Sequence, residues 1–284
     1  MAHPVKRRRI IKKRKSCFFG KWFTALFSLF LILIIILGIY KFRDGFLYYL
    51  GFKTNKYANE LYADERKLAD IRIYEVLHKH DNKAIGFDVS EYQGEINWEQ
   101  TYHIEEAFEL SYVFIRATAG ENRIDSRFEE NWKGAKARQL IRGAYHYYRP
   151  NENSLVQADN FIKNVTLQKG DLPPVLDIEK LPKTQSIVRL KVGLRNWLSV
   201  VEKHYGVKPI IYSGESYYKD FLKEELSEYP LWIANYNFWR NDLESDWQFW
   251  QFTEKAKIEG IDAMVDLNIF NGDKNDLLKI GLKK

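Results

Sequence analysis

Two carboxylates lie two residues apart in an otherwise apolar stretch, PPVLDIEK at residues 173–180. Side chains at positions i and i+2 of a β-strand point to the same face, so Asp177 and Glu179 should point together. In a partly desolvated cleft two such groups cannot both ionise freely. The pKa of one of them rises, and that group can donate a proton near neutral pH. The alternative is a pair that is solvated at a strand end or paired with neighbouring lysines.

Two further acids lie in other strand-like runs. Asp88, in GFDVS, closes the first predicted strand, and Asp266 lies within VDLNIF near the end of the chain. If these runs belong to one sheet or barrel, four acids from three strands meet at a single rim, which indicates a site. Taken singly, Asp88 could instead cap the following turn, and Asp266 could pair with a base.

Other site chemistries find little support in the sequence. Carboxylate sites for Mg²⁺ or Ca²⁺ normally serve phosphate or fill a dedicated loop, and neither a phosphate loop nor an EF-hand spacing is present. His146 has no HxH or HExxH motif around it and is predicted to be a hydrogen-bonded core residue. There is no GxSxG motif. We therefore expect no metal and no cofactor. The remaining possibility is acid–base catalysis by carboxylates, which is the chemistry of glycoside hydrolysis.

The elements that must position these acids follow from the hydrophobic pattern after residue 84. Short apolar, β-branched runs alternate with amphipathic stretches, and helices are predicted near 97–109, 126–138, 154–167 and 185–204. This alternation predicts a parallel sheet covered by helices, and a barrel or a doubly wound sheet satisfies it. Beyond residue 215 the pattern changes to a short helix and three strand-like runs, LWIANY, WQFWQFT and AMVDLNIF.

The length of this region favours a reduced barrel. About 200 residues follow residue 84, fewer than the roughly 250 of a full eight-fold α/β barrel. We therefore expect an α/β, TIM-like barrel whose last helices have been lost. Asp177 and Glu179 would end its fourth strand, and parallel barrels carry their active sites at that end of the strands.

The N-terminal region has a different composition. Residues 1–21 carry nine Lys and Arg and no acid, so the net charge of +6 comes from this tail and not from a basic surface for nucleic acid. Residues 22–40, WFTALFSLFLILIIILGIY, contain no charge and approach the roughly 20 residues that cross a bilayer. The positive flank predicts a cytoplasmic N-terminus. The rival interpretation is a cleaved signal peptide, but LGIYKFRDG offers no small-residue cleavage site.

The predicted organisation therefore has four parts. They are a cytoplasmic basic tail (1–21), a transmembrane helix (22–40), a helical stalk or linker (41–83) and a barrel domain (84–284) in a periplasm or at a cell surface. One helical face of the stalk, which would also allow self-association, is predicted from Leu61, Leu68, Ile71, Tyr74 and Leu77. The only cysteine, Cys17, lies in the tail, so the external domain must be stabilised by core packing and not by disulfides.

Several ordered stretches resemble family 25 of the glycoside hydrolases, the bacterial and phage N-acetylmuramidases or lysozymes. They span residues 84 to about 273 and read GFDVSEYQGEINW, FIRATAGENRIDSRFEENWKGAKARQLIRGAYHYYRP, PPVLDIE, IIYSG, LWIANY and WQFWQFT…VDLNIFNG. The resemblance implies a barrel of five β/α units followed by three strands. It also implies that the substrate is peptidoglycan, cut between N-acetylmuramic acid and N-acetylglucosamine.

The resemblance also suggests residue roles. Glu179 would be the general acid, while Asp88, Asp177 and Asp266 would orient substrate or water and stabilise positive charge at the sugar ring. An inverting mechanism and a retaining one assisted by the substrate's N-acetyl group both stay open. They differ in carboxyl separation, and Asp177 would suit the second by holding the acetamide.

Substrate contacts are expected from rings that stack on sugars and from two polar side chains. The candidates are Arg116, Tyr145, Tyr147, Tyr212, Trp232, Tyr236, Trp250 and Gln251, and each ring could instead be a core residue. Family members commonly read TEG where this chain has Thr118-Ala119-Gly120, so one carboxylate is missing there, and Glu121 could partly replace it.

Two other functional classes stay open at this stage. A non-catalytic barrel could bind glycan as an adaptor, since binding needs rings and hydrogen bonds but no proton donor. A polysaccharide deacetylase is the other class, and it would require a metal.

Overall fold

The computed structural model describes residues 26–33, 36, 58–104, 107–243 and 247–283 of the chain. The chain divides into two compact units, Met1–Glu65 and Arg66–Lys284, of which the second holds the barrel. In the described ranges no helix is both long enough and apolar enough to cross a membrane. The basic tail and most of the predicted span 22–40 lie outside the described residues, as do residues 41–57 of the predicted stalk.

The second unit alternates strands and helices. The helices are α1 (Ala58–Lys79, which begins before this unit), α2 (Phe128–Ala137), α3 (Ser154–Asn164), α4 (Ile187–Tyr205), α5 (Glu215–Tyr217), α6 (Lys223–Leu226) and α7 (Lys274–Ile280). The strands are β1 (Ile85–Val89), β2 (His103–Ile104), β3 (Phe108–Ala119), β4 (Arg123–Ile124), β5 (Ile141–Tyr147), β6 (Val175–Asp177), β7 (Ile210–Gly214), β8 (Leu231–Ala234), β9 (Phe249–Ala256) and β10 (Val265–Phe270).

Eight strands close into a barrel in the order β1, β3, β5, β6, β7, β8, β9 and β10, which returns to β1. Neighbouring strands are parallel from β1 to β9, whereas β10 runs antiparallel to both of its neighbours. The short strands β2 and β4 pair with β3 outside this ring. The expectation of a reduced α/β barrel is confirmed as an eight-stranded closed barrel.

One predicted helix is wrong. The stretch near 97–109 contains a turn, then β2, then the start of β3. The Asn97 side chain accepts a hydrogen bond from the Glu99 amide at 3.2 Å, and the Asn97 carbonyl accepts one from the Gln100 amide at 3.1 Å. Asparagine that bonds its own backbone two residues on favours a turn over a helix. The helices predicted near 126–138, 154–167 and 185–204 are present as α2, α3 and α4.

Side-chain alternation along the strands separates two cores. The cluster inside the barrel is rich in aromatic rings and consists of Ala84, Tyr112, Phe114, Leu172, Val175, Ile210, Tyr212, Trp232, Phe249, Phe270 and Leu277. The outer cluster lies between the strands and the helices, where Trp197 of α4 and Phe161 of α3 are fully buried. Asp177 follows Val175 by two positions, so it continues the inward face towards the carboxyl end of the strand.

The C-terminal half of α1 belongs to the same compact unit as the barrel. Ile73, Val76 and Leu77 are buried in the outer core at the i, i+3, i+4 spacing of one helical face. Of the face predicted for the stalk, Leu77 is buried among these residues, whereas Ile71 and Tyr74 are 51% and 52% exposed. The folded unit therefore extends before the predicted domain start at residue 84.

Gly86 on β1 lies against the buried ring of Tyr112. A Cβ at this position would lie 2.6 Å from three ring atoms of Tyr112, and Tyr112 is fully buried. We expect Gly86→Ala to lower the free energy of unfolding by about 1–3 kcal/mol, measured by urea denaturation. Gly214→Ala is the matched control, because no atom lies within 4 Å of its added Cβ. Similar losses in both variants would contradict this steric explanation.

Candidate active site

The four predicted acids line one cavity at the carboxyl end of the parallel strands. This cavity has a volume of about 80 Å³ and is lined by Asp88, Tyr145, Asp177, Glu179, Tyr212, Trp232, Gln251 and Asp266. A larger groove of about 540 Å³ adjoins it, since Glu179 and Tyr212 line both spaces. The structure thus brings together acids from β1, β10 and the end of β6, although they are far apart in sequence.

Asp88 and Asp266 face each other across the antiparallel pair β1 and β10. Asp88 Oδ2 accepts hydrogen bonds from Gln251 Nε2 at 2.8 Å and from Asn268 Nδ2 at 2.7 Å. Burial raises the pKa of Asp88 to about 6, although the two amide donors oppose this shift. Burial and the nearby charge of Asp88 raise the pKa of Asp266 to about 9. At neutral pH this pair therefore holds one proton, mainly on Asp266.

Of the two neighbouring acids Asp177 and Glu179, Asp177 is the buried one. It is 5% exposed, and its Oδ1 atom has no hydrogen-bond partner in the described part of the chain. Burial and the charges of Glu179 and Asp88 raise the pKa of Asp177 well above its usual range. An unpaired buried oxygen that lines a cavity is available to accept a hydrogen bond from a bound molecule.

Glu179 is the accessible member of the pair. It is exposed to solvent at the end of β6 and lines both the cavity and the groove. Desolvation by the surrounding walls raises its pKa, and the charge of Lys180 and a hydrogen bond with Tyr212 oppose this shift. A carboxyl group that holds its proton to higher pH and faces an open groove can act as a general acid.

Gln251 connects the acids to the tyrosines. Its side chain is 1% exposed, and besides donating to Asp88 it accepts hydrogen bonds from the hydroxyls of Tyr212, at 2.7 Å, and Tyr236. Tyr236 is 42% exposed and lines the groove. The carboxylate of Asp88 is thus held in place by a network that reaches the groove wall.

Trp232 provides an apolar wall of the cavity. Its ring stacks on Phe114 with a centroid separation of 4.4 Å, and its Nε1 donates to Asn268 Oδ1 at 2.8 Å. Asn268 was not singled out from the sequence, yet it holds both Trp232 and Asp88. The signal was available, because Asn268 follows Asp266 by two positions on one strand and therefore shares its face.

Three of the predicted substrate contacts, Trp250, Arg116 and Tyr147, do not line the cavity or the groove. Trp250 is fully buried in the outer core, where its ring packs near Trp247 and its Nε1 donates to the carbonyl of Asn235 at 3.1 Å. This prediction is wrong for a simple reason. Neighbouring residues on a strand face opposite sides, so Trp250 must point outwards when Gln251 points inwards.

Arg116 is another predicted substrate contact that lines neither the cavity nor the groove. Its guanidinium is buried and donates to Asp125 at 2.7 Å and to Glu91 at 2.9 Å. It also lies over the ring of Tyr92, with 4.6 Å between the guanidinium carbon and the ring centroid. These partners occupy the cation, so Arg116 acts on the acids through its charge, which lowers the pKa of Asp177.

Of the remaining predicted side chains, one lines the cavity and two lie outside it. Tyr145 lines the cavity, whereas Tyr147 is half-buried outside both linings, with Lys180 Nζ 5.4 Å from its ring centroid. Glu121, considered as a replacement for a missing carboxylate, accepts a hydrogen bond from the Asn153 amide at 2.7 Å and does not line either space.

His146 is a core histidine, as predicted. It is fully buried, with Nδ1 2.7 Å from Thr118 Oγ1 and Nε2 3.1 Å from Gln157 Oε1. Burial lowers its pKa to about 4, so the ring is neutral at physiological pH. Within the described residues, no group of three or more His, Cys, Asp or Glu is placed to hold a metal ion.

Asp266→Asn is expected to flatten the pH dependence of stability. The native pKa of about 9 lies above the ordinary value of 3.8, so between these values the native state binds more protons than the unfolded state. Stability therefore falls as pH rises through this window. We expect the variant to gain about 1 kcal/mol near pH 8 and little near pH 4, as measured by urea unfolding. The exposed Asp262→Asn is the control, and an unchanged slope in Asp266→Asn would contradict the assignment.

A closed α/β barrel with a cluster of protonatable carboxyls beside an aromatic groove defines a carboxylate-dependent glycoside hydrolase. The chain belongs to glycosyl hydrolases family 25, whose family model matches residues 87–261.

Known proteins agree with this assignment. The uncharacterized protein YegX of Escherichia coli is 40% identical over 194 residues, which cover 68% of this chain and 71% of YegX. Lysozyme M1 of Streptomyces globisporus is 32% identical over 210 residues, covering 69% of this chain and 70% of the lysozyme. The solved structure of a family 25 glycosyl hydrolase from Bacillus anthracis superposes with a TM-score of 0.64 at 30% identity, covering 71% of this chain and 95% of that one.

Proposed function

We propose that this chain cleaves the β-1,4 bond between N-acetylmuramic acid and N-acetylglucosamine in peptidoglycan, with Glu179 as the general acid. The enzyme is a glycoside hydrolase of the lysozyme type. These roles are inferred from the cavity that all four acids line. Of the four, only Glu179 also lines the adjoining groove. That position lets Glu179 protonate the oxygen of the departing sugar.

Asp88 and Asp266 act together on the opposite side of the cavity. Their shared proton leaves one negative charge close to the sugar ring, where positive charge develops in the transition state. The two amide donors on Asp88 Oδ2 fix the orientation of that carboxylate before the substrate binds. Fixed orientation avoids reorganisation during the reaction and makes the electrostatic stabilisation effective.

Asp177 is suited to hold the N-acetyl group of the substrate. Its Oδ1 lacks a partner in the described residues and can accept a hydrogen bond from the acetamide N–H. The small cavity beside it fits a substituent of a sugar and not a whole ring. This arrangement favours the mechanism in which the acetamide oxygen attacks the anomeric carbon while Asp177 orients the group.

The adaptor alternative is not favoured. A glycan-binding barrel needs rings and hydrogen bonds but no proton donor, whereas a cluster of four carboxyls with raised pKa values is typical of a catalytic site. A deacetylase would require a metal, so activity that persists in a chelator argues against that class.

Mass spectrometry of the products tests the proposed bond. Purified peptidoglycan digested by the full-length protein should release fragments that carry muramic acid at the reducing end. Fragments that end in reducing N-acetylglucosamine would show a glucosaminidase instead. Deacetylated but uncleaved strands would show the metal-dependent class.

We further propose that residues 22–40 anchor the protein in the cytoplasmic membrane, with the barrel outside. The support is the uncharged nineteen-residue stretch behind a basic tail. Residues 41–83 would then connect the anchor to the barrel and offer a surface for self-association. The full-length chain should stay in the membrane fraction after a carbonate wash, and a chain that begins at residue 41 should not. Release of both proteins would contradict the anchor.

A further inference from the structure

One wall of the groove is formed by residues 235–243, named here the groove loop, which follows β8. Asn235, Tyr236, Asn237 and Arg240 of this loop line the groove together with Glu179. The Tyr236 hydroxyl donates to Gln251, which in turn donates to Asp88. The position of the groove loop therefore affects both the space for a glycan and the network around the acids.

On its other side the groove loop contacts α1. Arg72 Nη1 donates to the carbonyl of Tyr236 at 2.9 Å. His80, just after the helix, places Nε2 3.0 Å from the carbonyl of Asn241, and Lys79 Nζ lies 3.3 Å from Asp242 Oδ2. Arg72, Lys79 and His80 all lie before residues 87–261, the part of the chain that matches the family model.

Arg72 is an unusual residue for a helix that docks through apolar contacts. It is 6% exposed, and its Nε and Nη2 atoms have no hydrogen-bond partner in the described part of the chain. No described carboxylate lies within ion-pair distance of it, and burial lowers its pKa to about 10. A buried guanidinium without an acidic partner is unfavourable. Among the described residues, its bond to the Tyr236 carbonyl is the one hydrogen bond that the Arg72 side chain makes, and an apolar side chain could not replace it.

We propose that Arg72 is a positioning residue for the substrate groove, which holds the backbone of Tyr236 so that the tyrosine hydroxyl reaches Gln251 and the loop forms the groove wall. By this inference α1 is part of the substrate-binding apparatus, although it precedes the family 25 region. The inference rests on the proposed function, because the ligand of the groove is taken to be a peptidoglycan strand.

Binding of a soluble glycan fragment to the full-length protein tests this role. The fragment has two N-acetylglucosaminyl-N-acetylmuramyl units, and the parent protein carries Glu179→Gln so that it binds without cleavage. Adding Arg72→Met, which keeps the length and apolar stem, should weaken the Kd about tenfold. Arg72→Lys keeps one hydrogen-bond donor, so it should weaken binding of the fragment less than Arg72→Met does. Arg66→Met is the matched control, because Arg66 pairs with Asp70 on the same helix at 3.9 Å, and it should stay within about twofold.

A double-mutant cycle separates positioning from general structural support. If Arg72 acts through Tyr236, then Arg72→Met should raise the Kd for the fragment less than about threefold in a protein whose Tyr236 hydroxyl has already been removed by Tyr236→Phe. An equal cost in both backgrounds, unchanged binding in Arg72→Met, or failure of both Arg72 variants to fold would each overturn the inference. If the Glu179→Gln parent itself does not bind the fragment, the proposed function fails and this inference fails with it.

Discussion

Glu179→Gln is expected to lower kcat for peptidoglycan hydrolysis by about 10³-fold, with KM changed little. The amide keeps the shape of the side chain but cannot transfer a proton to the departing sugar oxygen. Release of reducing ends from purified peptidoglycan measures the loss. Glu259→Gln is the matched control, because Glu259 is an exposed acid in the connection between β9 and β10 and should retain full activity.

The pH profile provides a second measurement on the same variant. The proton donor must be protonated, so wild-type activity should fall as pH rises through the raised pKa of Glu179. The residual activity of Glu179→Gln should lack this alkaline limb. Full activity in the variant, or an alkaline limb that persists in its residual activity, would assign the proton donor to another group.

Asp177→Asn should reduce kcat about 100-fold. The substitution preserves size but replaces a carboxylate with a neutral amide, so the hold on the acetamide weakens. Reducing ends released from purified peptidoglycan measure this loss.

Chemically modified substrate identifies what Asp177 holds. If Asp177 orients the acetamide, de-N-acetylated peptidoglycan should slow the wild-type enzyme strongly and the Asp177→Asn variant much less. The Asp262→Asn protein is the control and should respond as the wild type does. Equal slowing of the wild type and of Asp177→Asn would show that Asp177 acts on another part of the reaction.

Local rules were sufficient to predict much of this site. The spacing of Asp177 and Glu179 and the alternation of strands and helices depend only on neighbouring residues, which the sequence displays directly. The same rules, applied more strictly, would have excluded Trp250 once Gln251 was assigned to the interior and would have selected Asn268 beside Asp266. The helix predicted near 97–109 was wrong because the Asn97 side chain bonds its own backbone, and the apolar pattern does not report this.

By itself the sequence determined the class of fold and singled out the four acids, because strand alternation sets which side chains share a face whatever the surrounding structure. Tertiary structure alone decided which of the acids are buried, that Arg116 is paired with Asp125 and Glu91, and that α1 packs behind the groove loop through Arg72. The physical reason is that desolvation, ion pairing and helix docking depend on groups distant along the chain, whose proximity exists only after the barrel has closed.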